Sequence, residues 1–314
     1  MLNLIQNEWI KIFKQIGTYI MIGLVVLLVI GNGAITKYLD SKAEPVDQDW
    51  KQELTISNQQ HAANMETMPM TKEFFKQQIA INEYRIEHDL APEYTTTVWT
   101  FIQDSASFIS FAGLFVIIIA AGIVANEFTW GTVKVLLIKP FHRWKILMAK
   151  YTTVILFLLL VLGVLFVSAA AIGAILFGTG GEASNVHLAY VKGTVVEQSL
   201  LLYLIKSYLL NSLSIFLLAT MAFMISAVFR VSGLAIGISI FLLMMGGTVT
   251  QLLAMKFDWA KYSLFANTNL MQYADGSPLV EGMTMSFSIT MMLIYFFIFH
   301  LLAFIFFTKR DVAT

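Results

Sequence analysis

Six apolar runs set the rhythm of the 314-residue chain, at residues 16–36, 101–124, 146–177, 200–228, 231–255 and 287–307. Each reaches or exceeds the roughly 20 apolar residues that a helix needs to cross a bilayer. Before the first run, Leu2, Ile5, Trp9, Ile12 and Phe13 recur at spacings of three and four, with Asn7, Glu8, Lys11 and Lys14 on the other side. That spacing predicts an amphipathic helix over residues 1–15 lying in the membrane interface. Residues 37–99 break the apolar rhythm and form a loop too long to be structureless. Two helices are expected there, near 47–66 and 71–90, with Thr71 capping the second. Only Phe229 and Arg230 separate the fourth and fifth runs, which predicts a tight helical hairpin. The expected fold is an all-α integral membrane protein in one domain over residues 1–314.

Composition sharpens this class. The chain is 58% hydrophobic and 13% charged, with a mean hydropathy of +0.74, whereas soluble domains carry about 25% charged residues. Net charge is zero, but its distribution is uneven. The N-terminus, residues 126–150, Arg230 and the C-terminal tail together hold ten Lys/Arg against three acids, and the remainder holds ten against seventeen. Basic residues mark the cytoplasmic side, so both termini and the 126–150 segment are expected inside and the 37–99 loop outside. The first apolar run is expected to be retained as a span, because Gly31-Asn32-Gly33-Ala34 is a poor cleavage site.

Chemistry-bearing motifs are scarce. There is no cysteine, no His-Glu-x-x-His and no Gly-x-Ser-x-Gly. Phe177-Gly178-Thr179-Gly180-Gly181 lacks the Lys-Ser/Thr of a phosphate loop and reads as the end of the third span. His61 and His88 have no metal-ligand spacing. Ionisable residues in or near the spans reduce to Asp104, Lys206 and His300, where ion-driven carriers use such groups near the midplane. No catalytic residue, cofactor site or metal site is expected on this chain, and no nucleic-acid partner.

Residues 126–150, NEFTWGTVKVLLIKPFHRWKILMAK, are the polar exception between two apolar runs. At about 100° per residue, Glu127, Gly131 and Lys134 share one narrow face of a helix, and Trp130, Val133, Leu136 and Leu137 form an apolar arc beside it. Pro140 then interrupts the helix. The segment resembles the first cytoplasmic loop of permease subunits in type-2 ABC transporters, the bacterial export-type family. It shares their acid after the second span, Glu127, then Gly131-Thr132, Leu136-Leu137, Pro140 and the basic Arg143. His142 stands where the family usually has a small residue. The topology of six spans, an N-terminal amphipathic helix and a large loop after the first span is also similar to that family.

The resemblance implies that residues 126–145 form a coupling helix docked on a separate ATPase subunit. Glu127, Trp130, Gly131, Lys134, Leu136, Leu137, Pro140 and Arg143 would make the contact. ATP and magnesium would then sit on two copies of that subunit, and a second permease copy or a homologue would complete the pathway in a bacterial cytoplasmic membrane. Phe108, Phe111, Phe115, Met244, Met245 and His300 are the expected wall of the pathway. Aromatic and Met-rich spans suit a hydrophobic or amphipathic cargo, such as a peptide antibiotic, a drug or a lipid-like molecule. Rival readings are an ion-driven or energy-independent carrier, and a sensor that binds ligand through the 37–99 loop.

Overall fold

The computed structural model describes residues 1–42, 49–67, 72–92, 96–132, 141–178, 186–191, 193–273, 278–280 and 282–309. A short helix α1 (Leu2–Phe13) leads into α2 (Ile16–Lys42). The loop after α2 carries α3 (Trp50–Thr67) and α4 (Lys72–Glu87); Thr71, expected as a cap, lies outside the described residues. The next span consists of α5 (Val98–Ser105), one 3-10 turn and α6 (Ile109–Thr129). It is followed by α7 (Arg143–Leu176), α8 (Leu200–Phe229), α9 (Ser232–Ala254), the short α10 (Leu264–Thr268) and α11 (Met285–Lys309). Among the described residues, six helical stretches are long and apolar enough to cross a membrane, with α5 and α6 counted as one stretch, Val98–Thr129.

Burial separates these spans by role. Val98–Thr129 and α8 are mostly buried and form the most extensive helix pair, whereas α2, α9 and α11 turn most of their surface outward. The apolar outer faces are what a bilayer solvates, so their exposure costs nothing there. Close approach of α6 and α8 depends on Gly113, which lies against the buried Ile215. Small residues at such crossings let backbones pack closely. Sparse polar ties fix the register: Ser226 Oγ accepts hydrogen bonds from the amides of Val124 and Ala125, and the Tyr151 and Thr220 hydroxyls pair at 2.9 Å.

The all-α expectation is corrected by a hairpin between the third and fourth spans. Strand β1 (Val186–Val191) pairs antiparallel with β2 (Thr194–Ser199), Val191 opposite Thr194. Its sequence, rich in β-branched and aromatic residues, favours a pleated surface over a helix. Gly193, just before β2, adopts φ +93°, a conformation open to glycine. The hairpin packs against α4, and the Tyr84 hydroxyl donates to Glu197 at 3.4 Å. Residues 179–181, read as the end of the third span, lie outside the described residues.

His187 on β1 stacks on Tyr203 with ring centroids 3.6 Å apart. Burial, then the nearby charges of Arg85 and Lys206, push its pKa down to about 4. The fold therefore holds the neutral imidazole, while an unfolded chain takes up the proton near pH 6.5. Stability contributed here is complete above that value and is lost as pH falls from about 6.5 towards 4. Melting temperature in detergent should consequently fall more steeply across that window for the native chain than for His187→Gln. Parallel slopes for the two would contradict the assignment.

Candidate functional site at the loop between the second and third spans

The two ends of the bundle are chemically distinct. One end gathers α1, the end of α6, the start of α7, the turn at Arg230 and the end of α11. Arg143 donates to the carbonyl of Thr308 at 3.2 Å, and Arg230 donates to that of Phe306 at 3.3 Å. Arg230 sits at φ +59° as the C-cap of α8, and its guanidinium lies 4.5 Å from the Phe128 ring centroid. Cations near helix C-termini are favoured by the terminal carbonyls and the helix dipole.

At this end four charged side chains from three helices meet. Lys150 Nζ, on α7, donates to Glu8 at 2.7 Å, to Glu127 at 3.0 Å and to the Ile123 carbonyl at 3.1 Å. Lys11 Nζ bridges the same two carboxylates, at 2.9 Å from Glu8 and 2.7 Å from Glu127. The second Glu127 oxygen accepts from the Thr132 hydroxyl at 2.7 Å. Lys150 is only 1% exposed and Glu8 5%. Burial works against the Lys11 charge, but its hydrogen bonds to Glu127 and Glu8 outweigh that and raise its pKa above the ordinary lysine value. Two acids and two lysines balance, so each buried charge is compensated.

This geometry changes the position expected for Glu127 and Glu8. Glu127 belongs to the last turn of α6 and points into the bundle, so its carboxylate is used within the chain. The predicted shared face with Gly131 is not continued, because α6 ends at Thr129 and Gly131 takes φ +71°. Glu8, read as part of the polar face of α1, is turned inward with Ile12. Trp130 is 64% exposed, beyond the helix end. Arg143 opens α7. Lys134, Leu136, Leu137 and Pro140 lie outside the described residues.

A cavity of about 620 Å³ opens beside the charged cluster. Glu8, Lys11 and Glu127 line its polar end, and Ile20, Met21 and Ile119 are among its apolar walls. The expected pathway-wall residues fall on several elements. Phe111 and Phe115 stack edge-on at 5.1 Å, with Phe108 half-buried nearby, but Phe115 is buried in the core. Met244 is 70% exposed and Met245 43%, on α9. His300 lies elsewhere, 4.5 Å from Tyr151 and with Nδ1 3.0 Å from the Phe296 carbonyl. Sequence reading missed Glu8, Lys11 and Lys150 as partners of Glu127. The available signals were an acid in phase with Ile5 and Ile12, and a lysine inside the apolar run of the third span.

Fold and site define a multi-pass membrane protein whose first helix is pinned by buried ion pairs to the second and third spans. The chain belongs to the family described as "Protein of unknown function (DUF2705)", whose profile matches residues 67–313. It is 52% identical over 314 residues to "Uncharacterized protein YhcI" of Bacillus subtilis (strain 168), covering 100% of both chains. It is also 33% identical over 198 residues to "Uncharacterized membrane protein YdbK" of the same organism, covering 62% of this chain and 76% of the relative.

Proposed function

We propose that this protein is the membrane-spanning subunit of an ATP-binding cassette exporter, driven by a separate ATPase subunit. The observation that carries the proposal is the 126–150 segment, whose motif resembles the coupling loop of such permeases. Its entry is tied through Glu127 and Thr132 to the first helix and the third span. A push on this loop then reaches three helices through short, charge-assisted contacts. In this reading Glu127 positions the loop, and Trp130 with the following basic and apolar residues meets the ATPase. An exposed tryptophan suits an interface anchor. The excess of basic residues at this end supports a cytoplasmic position for it and for both termini. Two ATPase copies binding ATP and magnesium would favour one state of a permease pair over the other. A hydrophobic or amphipathic cargo, with antibiotic self-protection as one use, suits the aromatic and methionine-rich spans.

Purification from the native membrane in mild detergent, followed by mass spectrometry, tests this reading. A stoichiometric ATPase subunit is expected, with its recovery reduced about thirtyfold in Trp130→Ala, the loss of a hot-spot contact of about 2 kcal/mol. A well-folded chain recovered alone under several gentle conditions would instead favour a carrier or a sensor.

A further inference from the structure

At the opposite end of the bundle, α4 and the β1–β2 hairpin form a polar layer over the first turns of α8. A cavity of about 820 Å³ lies between them. Lys76 enters it from α4, Lys206 and Tyr203 from α8, Tyr190 and His187 from β1, and Tyr273 from the stretch after α10. Among the described residues, Lys76 and Lys206 make no hydrogen bond or ion pair, and one carboxylate, Glu73, shares the cavity with them. Lys206 is the unusual member. It lies in the second turn of an apolar span, where an ionisable side chain is by default a sign of function. Tyrosines gather where apolar helix meets headgroup, so the cavity stands at the membrane edge.

From this arrangement we infer that the cavity binds a phosphate ester of a polyol, with Lys76 and Lys206 on the phosphate. Ammonium groups bind phosphate as point charges through charge-assisted hydrogen bonds. The volume lies within the range of organic-ligand sites, about 300–1,000 Å³, and far exceeds the need of a bare phosphate. Its remaining polar lining includes Tyr190, Gln77, Gln78 and Gln198, residue types whose hydroxyl and amide groups suit the hydroxyls of glycerol or a sugar. His187, held between Tyr203 and a second cavity of about 450 Å³, forms part of the wall. The site makes no use of the transport reading and stands apart from the charged cluster around Lys150.

Thermal unfolding of the detergent-purified full chain provides the test, with three probes: short-chain phosphatidylglycerol, glycerol 3-phosphate and short-chain phosphatidylcholine. Ligands that bind the folded state raise its melting point. Phosphatidylglycerol is expected to raise it in a saturable way, and phosphatidylcholine, whose phosphate charge is neutralised, to leave it near the detergent value. An equal rise with glycerol 3-phosphate would identify a water-soluble source, and a rise with phosphatidylglycerol alone a membrane lipid; either supports the site. Lys76→Gln/Lys206→Gln should weaken the dependence about a hundredfold, each charge-assisted contact being about tenfold. Lys256→Gln, which removes a lysine outside the cavity, should leave it intact. Should the double variant not fold, Lys76→Gln on the exposed face of α4 carries the test, with about a tenfold loss. No saturable rise with either phosphate ester, a rise unaffected by the cavity substitutions, or an equal loss in Lys256→Gln would overturn the inference.

Discussion

Lys150→Met is expected to cost about 3–5 kcal/mol, the usual penalty for leaving a buried charge unpaired. Against a total stability of about 5–15 kcal/mol, that removes much of the folded population from detergent extracts. The loss comes from geometry. Lys150 is 1% exposed and serves Glu8, Glu127 and a backbone carbonyl together, so its removal strands two carboxylates with only Lys11 between them. Methionine has similar length, which keeps the packing change small. Adding Glu127→Leu should restore most of the stability, because Glu8 then keeps Lys11 and no buried acid is left over. Monodisperse yield and melting temperature provide the readout. An equally unstable double variant would show that Lys150 matters through packing instead of charge.

Gly113→Ala is expected to cost about 1–3 kcal/mol by overpacking. A Cβ there would stand 2.5 Å from Ile215 Cδ1 and 2.9 Å from two further atoms of the same side chain. Ile215 is itself buried on α8, so it has little room to withdraw, and the two helices must separate. Ile215→Val alone should cost about 0.5–1.5 kcal/mol, yet combined with Gly113→Ala it should recover part of the loss. A double-mutant cycle on melting midpoints reads that coupling directly. Additive effects would mean that the crossing of α6 and α8 relaxes elsewhere.

The spans were readable because each carries a long apolar run, and lipid leaves few alternatives to a helix for such a run. The hairpin at 186–199 was harder to see. Its alternation covers only two short strands beside long helical signals, and β-propensity depends on what the strand packs against. At the charged cluster, Glu127 stood out as the lone acid of a basic segment, but its direction did not. Helical phase places Glu127 on a polar face only if the helix continues to residue 134, and α6 stops at Thr129. Glu8 and Lys150 are 142 residues apart, and local periodicity carries no information about pairs so distant. The grouping of Lys76 with Lys206 was hidden for the same reason, since it needs α4 folded over the start of α8.

The two ends of the bundle also differ in how their hydrogen bonds connect. At the Arg230 end, the ion pairs and the arginine bonds chain α1, α6, α7, α8 and α11 into one body. At the other end two groups of polar links join the spans. Asp40 with Thr96, Lys37 with the Leu176 carbonyl and Tyr208 with the Ile102 carbonyl join α2, α5, α7 and α8. Thr250 with Ser263, Asn267 with Ser288 and Tyr295 with the Tyr262 carbonyl join α9, α10 and α11. Among the described residues, no hydrogen bond joins the two groups at that end. Parting these groups at that end would break packing contacts but, among the described residues, no hydrogen bond between them, whereas parting them at the Arg230 end would break the arginine bonds to α11.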